Sequence, residues 1–153
     1  MRVENRIVTE RAEALALAPA LDACAAEFMA QFSDEPYPEG AARRFLEAGF
    51  EDPATVLAVA ETEPRGPWAA LCLTGPFRDP LLQTSVPMVL VLHVQSAWRH
   101  RGLGGGLIEL AARELAARGQ RGLAARVGHN DDALISMGER WGFVRNFELM
   151  LRD

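Results

Sequence analysis

The most constraining feature of the sequence is an apolar run that leads through a glycine-rich turn into an amphipathic helix, within residues 88–119. Residues 88–94 are almost continuously apolar, as expected for a central strand covered on both faces. From residue 103, leucine and alanine recur at helical spacing, and the pairs Glu109–Arg113 and Glu114–Arg118 stand four residues apart on the other side. The segment therefore predicts a strand, a turn and a helix over 103–118.

Three consecutive glycines, Gly104 to Gly106, occupy the first turn of this predicted helix. Each costs about 1 kcal/mol relative to alanine if it is helical. Bare backbone N–H groups at a helix N-terminus bind phosphate, and the helix dipole favours negative charge there. Arg99, His100 and Arg101 add positive charge to a chain whose formal net charge is −5. The turn is interpreted as a phosphate site, with a flexible glycine connection as the alternative.

Two familiar phosphate motifs do not fit this turn. A dinucleotide fold needs G-x-G-x-x-G/A, but a count from Gly102 puts Leu107 at the third position, and residues 123–127 offer no acidic side chain. A triphosphatase loop needs Gly-Lys, and all 16 basic residues of this chain are arginines. The absence of lysine also excludes a pyridoxal Schiff base and a lysine general base.

The remaining pattern predicts one domain over residues 1–153, with a mixed sheet and helices packed on it (α/β or α+β). Pro19 is expected near the start of the first helix, where its missing N–H costs little. Residues 75–87 hold three of the nine prolines and are predicted to be irregular. The predicted strands are 6–11, 55–60, 68–73, 88–94, 123–127 and 143–151, and the predicted helices are 14–32, 41–48, 103–118 and about 131–140.

Composition and charge exclude several classes of function. An acidic chain lacks the basic face that general nucleic-acid binding requires. No apolar run approaches the roughly 18 residues of a membrane span, and residues 1–6 lack a secretory pattern. Cys24 and Cys72 have no metal-ligand spacing and are expected to be buried thiols in a reducing cytoplasm. We therefore expect a cytoplasmic protein without nucleic-acid or membrane partners and without a bound metal.

At residues 99–104 the sequence reads Arg-His-Arg-Gly-Leu-Gly, which follows the pattern Arg/Gln-x-x-Gly-x-Gly/Ala after a strand. Together with the segment 130–143, which starts at Asn130 and ends in Trp-Gly-Phe, this resembles the GNAT superfamily of acetyl-CoA-dependent N-acetyltransferases. The resemblance covers nearly the whole chain. It implies the acyl-CoA N-acyltransferase fold, in the order β-α-α-β-β-β-α-β-α-β, and acetyl-CoA as co-substrate.

In this family the fourth strand splays from the fifth, and the pantetheine of the cofactor lies in the gap. The resemblance implies that the diphosphate lies on the amides of the glycine-rich turn. It places the cofactor contacts at Leu92, His93, Val94, Arg99, His100, Arg101, Gly102, Leu103, Gly104, Gly105, Gly106 and Asn130.

The resemblance also implies catalytic roles. A backbone N–H near Val94 would stabilise the oxyanion as a neutral amine attacks the thioester. Relatives place a glutamate base at the position of Val89 and a tyrosine acid at the position of Gly138, so both usual groups are absent. Strand alternation predicts that Val89, Val91 and His93 share a face, which makes His93 the candidate base. The alternative for His93 is a partly buried histidine that only lines the pocket.

The predicted function is transfer of an acetyl group to a primary amine of a small molecule or peptide. Tyr37, in the loop between the first two helices, is a candidate for contact with the acceptor. Two alternatives stay open: a catalytically inactive acyl-CoA-binding or regulatory domain of the same fold, and a structural domain without cofactor. A homodimer is possible, since dimers are common among relatives.

Overall fold

The computed structural model describes residues 2–128, 130–146, 150 and 152, and within these residues five strands form one twisted sheet. The strands lie in chain order, and all neighbours are antiparallel except the last pair, which is parallel. The strands are β1 (Glu4–Ile7), β2 (Leu57–Glu61), β3 (Trp68–Arg78), β4 (Ser85–Val94) and β5 (Ala124–Ala125). The helices are α1 (Arg11–Met29), α2 (Ala41–Gly49), α3 (Leu103–Ala117) and α4 (Asp132–Arg140), with a 3₁₀ turn at Ser96–Trp98.

The sheet is covered on both faces, and this explains the apolar character of its central strands. On one face, α1 and α2 bury a cluster that includes Leu21, Leu46 and Leu71. On the other face, α3 buries a second cluster that includes Leu107 and Leu115. Every residue of β2 is buried, as expected for a strand inside a three-layer arrangement. The predicted mixed α/β architecture is confirmed.

Pro19 lies in the middle of α1, not near its start as the sequence suggested. An internal proline costs a helix about 3 kcal/mol, because it removes one hydrogen bond and crowds the preceding turn. The helix tolerates this cost because Ala14, Ala18, Leu21 and Cys24 bury a continuous stripe against the sheet. Tertiary packing thus overrides local propensity at this position.

Residues 75–87 are mostly strand, and the prediction of an irregular segment was wrong. β3 continues to Arg78 and β4 begins at Ser85, so the two strands form a long hairpin with a short turn at 79–84. Pro76 stands opposite Pro87 in this hairpin. A proline cannot donate to a neighbouring strand, but the pairing of β3 with β2 ends at Leu73, so the edge beyond it needs no donor.

One buried and one partly buried polar feature stabilise the sheet. The hydroxyl of Thr74, which is fully buried, donates to the carbonyl of Ala54 at 2.8 Å and accepts from the amide of Val56 at 3.0 Å. Arg6 on β1 bonds Glu13 on α1 and Glu61 on β2. This ionic cluster of Arg6, Glu13 and Glu61 ties one edge of the sheet to the first helix.

The observed element order agrees with the predicted one from β1 through α4. The last predicted strand, 143–151, lies in part outside the described residues, and residues 143–146 are not in a strand. Among the helices that the structure describes, none is both long and apolar enough to cross a membrane.

Candidate functional site

β4 and β5 separate after a very short parallel pairing. Only Met88 and Val89 of β4 pair with β5, at Ala124 and Ala125. Over residues 91–94, β4 keeps its pairing with β3 but has no partner on the other edge within the described chain. Unpaired main-chain groups at a strand edge are a ready template for an extended ligand. The gap between β4 and β5 is therefore the first element of the candidate site.

The polar groups at this edge belong to Leu92 and Val94. The amide of Gln95 donates to the carbonyl of Ala69 on β3 at 2.9 Å. Because these groups alternate in direction along an antiparallel strand, the backbone of His93 also faces β3. The N–H and C=O of Leu92 and Val94 then point into the gap. Of the three predicted backbone contacts, those of Leu92 and Val94 point into the gap, where the Val94 carbonyl accepts a hydrogen bond from Arg99, and that of His93 faces β3.

A bulge at Leu90 decides which β4 side chains share a face. Leu73 pairs with Val91 and Thr74 pairs with Val89, so Leu90 is an extra residue on β4. A bulge shifts the alternation by one residue. Val89 consequently packs on the α3 side, whereas Val91 packs on the α1 side. The prediction that Val89, Val91 and His93 share a face was wrong for Val89.

The turn after β4 presents free backbone amides. Gly102 is the N-cap of α3 with φ +76°, and the first amide bonded within the helix is that of Gly106, to the carbonyl of Gly102 at 3.0 Å. The amides of residues 103–105 have no acceptor among the described residues. His100 has φ +63°, and the guanidinium of Arg101 lies 4.9 Å from the centre of the Trp98 ring. The turn is thus preformed, positively charged and ready to bind an anion.

The three helical glycines have a packing role that the sequence did not reveal. A Cβ on Gly105 would lie 2.7 Å from Nε1 of Trp141, and one on Gly104 would lie 3.3 Å from the same indole. A Cβ on Gly106 would lie 2.9 Å from Nδ2 of Asn5. The glycines therefore admit Trp141 and Asn5 against α3, and their presence alone does not indicate phosphate binding. Gly102 has open space around it and is a glycine because of its left-handed φ.

A cleft of about 360 Å³ opens beside the end of β4, on the α1 side of the sheet. Trp68 and His93 face each other in it, edge to face, with ring centres 6.0 Å apart. The side chain of Arg99 turns back toward β4, and its Nε donates to the carbonyl of Val94 at 3.0 Å. The lining residues are Ala20, Ala23, Cys24, Trp68, His93, Gln95, Ser96 and Arg99. We call this space the His93 cleft.

Both cysteines are buried, as predicted, and both thiols are poor nucleophiles. Burial raises the pKa of Cys72 to about 12. Burial, with a smaller contribution from Glu27, also raises the pKa of Cys24. Cys24 reaches the His93 cleft as a small apolar group, because a thiol with a raised pKa stays protonated near neutral pH.

The side chain of Tyr37 is held in place by a hydrogen bond to Asp22. Its hydroxyl donates to Oδ1 of Asp22 at 2.9 Å, and the same oxygen accepts from the amide of Ala42 at 2.8 Å. Burial, together with the Asp22 carboxylate, raises the pKa of Tyr37 to about 12. Asp22 thereby holds the loop before α2 and satisfies an amide in its first turn. Tyr37 is not among the described residues that line the His93 cleft.

Two more of the residues discussed in the sequence analysis, Asn130 and Gly138, lie just before α4 and within it. Asn130 is exposed in the turn before α4. Gly138 lies within α4, and its carbonyl accepts from the amide of Phe143 at 3.0 Å, which closes the helix around Gly142 at φ +93°. The position that holds a tyrosine acid in relatives therefore carries no side chain here.

Sequence reasoning missed Trp68, Gln95 and Trp141. Trp68 begins β3, and nothing in its local pattern connects it with β4. Trp141 was interpreted only as part of a Trp-Gly-Phe segment, and its contact with the consecutive residues Gly104 and Gly105 depends on tertiary structure. Gln95 directly follows β4, and its position beside a predicted site was the available signal.

No protein-family model matches the sequence, and no curated protein matches it significantly. Solved structures do match over essentially the whole chain. AAC(6')-Iy, solved with the bisubstrate analogue CoA-S-monomethyl-acetylneamine, is 14% identical with a TM-score of 0.70, covering 100% of this chain and 98% of its own. A predicted acetyltransferase of Clostridium acetobutylicum, solved with acetyl-CoA, is 12% identical with a TM-score of 0.70, covering 99% of this chain and 96% of its own. Glucosamine-6-phosphate N-acetyltransferase of Arabidopsis thaliana is 17% identical with a TM-score of 0.64, covering 100% and 99%. The chain therefore has the fold of the GNAT acetyltransferases.

Proposed function

We propose that the protein is an acetyl-CoA-dependent N-acetyltransferase that acts on a primary amine of a small molecule or peptide. The observation that carries this proposal is the continuity of two features. The open edge of β4, with the backbone of Leu92 and Val94 directed into the gap, leads straight into the free amides of residues 103–105. The pantetheine arm of CoA matches this combination, because its amide groups can pair with a strand edge and its diphosphate can accept from free N–H groups.

The residues present fit such a cofactor. The N–H and C=O of Leu92 would pair with the amides of the pantetheine arm as a neighbouring strand does. The amides of residues 103–105, with Arg101 just before them, would hold the diphosphate. No acidic residue lies in the first turn of α3, so nothing there opposes an anion.

The chemistry assigned to the chain is direct acyl transfer. The neutral amine attacks the thioester carbon, a C–N bond forms, and the C–S bond breaks as CoA leaves as a thiolate. The N–H of Val94, directed into the gap, would donate to the oxyanion, a contribution of about 3 kcal/mol for a single donor in other enzymes. His93 would take the proton from the attacking amine, because its ring opens into the cleft on the acceptor side.

The experiment is CoA binding followed by turnover. At 100 times its dissociation constant, CoA should add about 2.7 kcal/mol to the free energy of unfolding, which corresponds to about 5–10 °C for a chain of this size. Release of free thiol from acetyl-CoA with a panel of primary amines should then exceed hydrolysis without amine. Absence of both effects would rule the proposal out.

A second candidate is an acyl-CoA-binding or regulatory domain without turnover. The observations that favour it are Gly138 and Val89, which replace the usual acid and base of the fold. Stabilisation by CoA without thiol release for any amine would select this candidate. We favour the enzyme for two reasons. His93 would supply a base, and the thiolate of CoA can leave without a proton donor when the pH of the solution is near or above the pKa of a thiol, about 8.5.

A further inference from the structure

Apart from His93, Arg99 is the one ionisable polar side chain with a permanent charge among the described residues that line the His93 cleft. Its α1 wall consists of Ala20, Ala23 and Cys24, and Trp68 closes the opposite side. Arg99 is the one arginine among the described lining residues, and none of those residues is a carboxylate. Glu27, one helical turn beyond Cys24, is close enough to affect that thiol but does not line the cleft.

Arg99 is exposed and leaves most of its donors unused. Its Nε donates to the carbonyl of Val94 at 3.0 Å, and its Nη groups have no partner among the described residues. It has no ion pair with any acidic side chain of the described chain, whereas Arg43 and Arg118 each have one and Arg6 has two. A guanidinium with free Nη groups can bind a carboxylate through two parallel hydrogen bonds.

Gln95 is oriented by its own hydrogen bond. Its Nε2 donates to the carbonyl of Trp68 at 2.6 Å. The side-chain oxygen is therefore the group of Gln95 that remains to accept from a ligand. An amine N–H fits this acceptor, with His93 beside it in the same cleft.

We propose that the acceptor of this protein is an amine that also carries a carboxylate, of which an α-amino acid with an apolar side chain is the simplest member. Arg99 binds the carboxylate, Gln95 and His93 face the amine, and the apolar wall of Ala20, Ala23, Cys24 and Trp68 contacts the side chain. This inference rests on the proposed function, because it assigns the acceptor of the same reaction.

Arg99 could instead bind the diphosphate of CoA, because a carboxylate and a diphosphate are both oxygen anions that suit a guanidinium. The geometry favours the acceptor. Arg99 lines the His93 cleft together with Gln95 and His93, whereas residues 103–105, which carry the free amides, do not line it.

The test compares matched acceptors in the wild-type protein and in Arg99→Gln. Leucine and leucinamide, and phenylalanine and phenylalaninamide, differ in the carboxylate but not in size. Their kcat/KM values, measured at saturating acetyl-CoA and corrected for the fraction of neutral amine, should favour the amino acid by about tenfold or more in the wild type. In Arg99→Gln this ratio should fall to about one. Arg113→Gln, which removes an exposed arginine on α3, is the control and should keep the wild-type ratio.

Three results would overturn the inference. The wild-type protein could turn over the amides as well as the acids. Arg99→Gln could keep the wild-type ratio. It could instead raise the KM for acetyl-CoA equally with both acceptors and leave the ratio unchanged, which would assign Arg99 to the diphosphate. If CoA does not stabilise the wild-type protein and no amine releases thiol, the proposed function itself fails, and this inference fails with it.

Discussion

The role that we propose for His93 depends on the surroundings of this residue. The bulge at Leu90 places its side chain on the α1 side of β4, while its backbone faces β3. Trp68 restricts the ring from one side, and the cleft leaves the other side accessible. An imidazole held at the end of the strand that lines the gap is in position to accept a proton from an amine.

Replacement of His93 by Gln tests this role. We expect kcat/KM at neutral pH to fall by about 100-fold, because the positioned base is lost. The wild-type rate should also fall on acidification, since an imidazolium cannot accept a proton, and this fall should be shallower in His93→Gln. Steady-state rates across pH 5.5–9 would measure both effects.

A separate control shows whether His93→Gln keeps the native fold. Thermal stabilisation by CoA in His93→Gln should stay within a few degrees of the wild-type value, because the variant keeps the backbone of β4. A variant with the wild-type pH–rate profile would remove His93 from the mechanism.

Thr74 and Thr55 form a matched pair of buried hydroxyls with opposite expected effects. The hydroxyl of Thr74 makes two hydrogen bonds, whereas that of Thr55 has no partner among the described residues. Thr74→Val should lower the free energy of unfolding by about 2 kcal/mol, because a buried amide and carbonyl lose their partner. Thr55→Val should be neutral or stabilising by about 1 kcal/mol, because it removes an unpaired polar group. Urea denaturation measures both, and equal effects of the two substitutions would contradict this account.

At the scale of elements, α3 shows the limit of what a pattern can disclose. Its heptad-like apolar stripe and its ion pairs were visible in the sequence, and the pair Glu114–Arg118 is formed at 3.0 Å. The reason for its glycines was only partly visible. Gly104 and Gly105 accommodate Trp141, which comes from the end of α4, about 36 residues later in the chain. Such a contact depends on tertiary structure and leaves no local trace.

A glycine substitution series separates packing from propensity. Gly105→Ala should destabilise the protein by about 1–2 kcal/mol, because the overlap with Trp141 outweighs the gain in helix propensity. Gly49→Ala, at the end of α2 with open space around it, is the control and should be neutral or stabilising by up to about 1 kcal/mol. Denaturation midpoints measure both variants. A stabilising Gly105→Ala would show that Trp141 does not need the space.

The full length of the β3–β4 hairpin was not predicted, because its composition is typical of a loop. Prolines and a glycine usually indicate a loop, and Gly75 with Pro76 was interpreted that way. In the structure Gly75 admits Phe45 and Leu90, since a Cβ there would lie 2.5 Å and 2.7 Å from their side chains. The glycine therefore belongs to the packing around the bulge, and the bulge directly follows Val89, the last residue of β4 that pairs with β5 in the described chain. Strand alternation alone could not locate that extra residue.

At the scale of the whole molecule, the sequence was sufficient for the order of elements and the layers. Alternating and helical periodicities are local, and each survives in the structure from β1 through α4. The separation of β4 from β5 was expected only through the family resemblance, since nothing in the local pattern of residues 88–94 and 123–127 fixes where their pairing stops. Boundaries, bulges and side-chain directions depend on contacts between distant segments.

The ionic cluster of Arg6, Glu13 and Glu61 joins three elements and predicts sensitivity to acid. The hydrogen bond to Arg6 holds the pKa of Glu13 below its ordinary value of 4.5. A carboxylate with a lowered pKa stabilises the folded state above the pKa of the unfolded state, and this stabilisation is lost as pH falls through the folded value. Glu13→Gln should therefore cost about 2 kcal/mol at pH 7, and the difference from wild type should shrink below about pH 4.5.

Urea denaturation between pH 3 and pH 7 measures this difference. Glu47→Gln is the control, because its pair with Arg43 is exposed and should contribute less than about 1 kcal/mol at any pH. A constant difference between wild type and Glu13→Gln down to pH 3 would refute the assignment.

The three tryptophans of the chain are distributed over the candidate site. Trp68 lies in the His93 cleft, Trp98 stacks under Arg101, and Trp141 covers the first turn of α3. The intrinsic fluorescence of the protein consequently originates beside the regions assigned to the amine and to the diphosphate. Single Trp→Phe variants would let an emission titration follow the occupancy of each region separately, without any label.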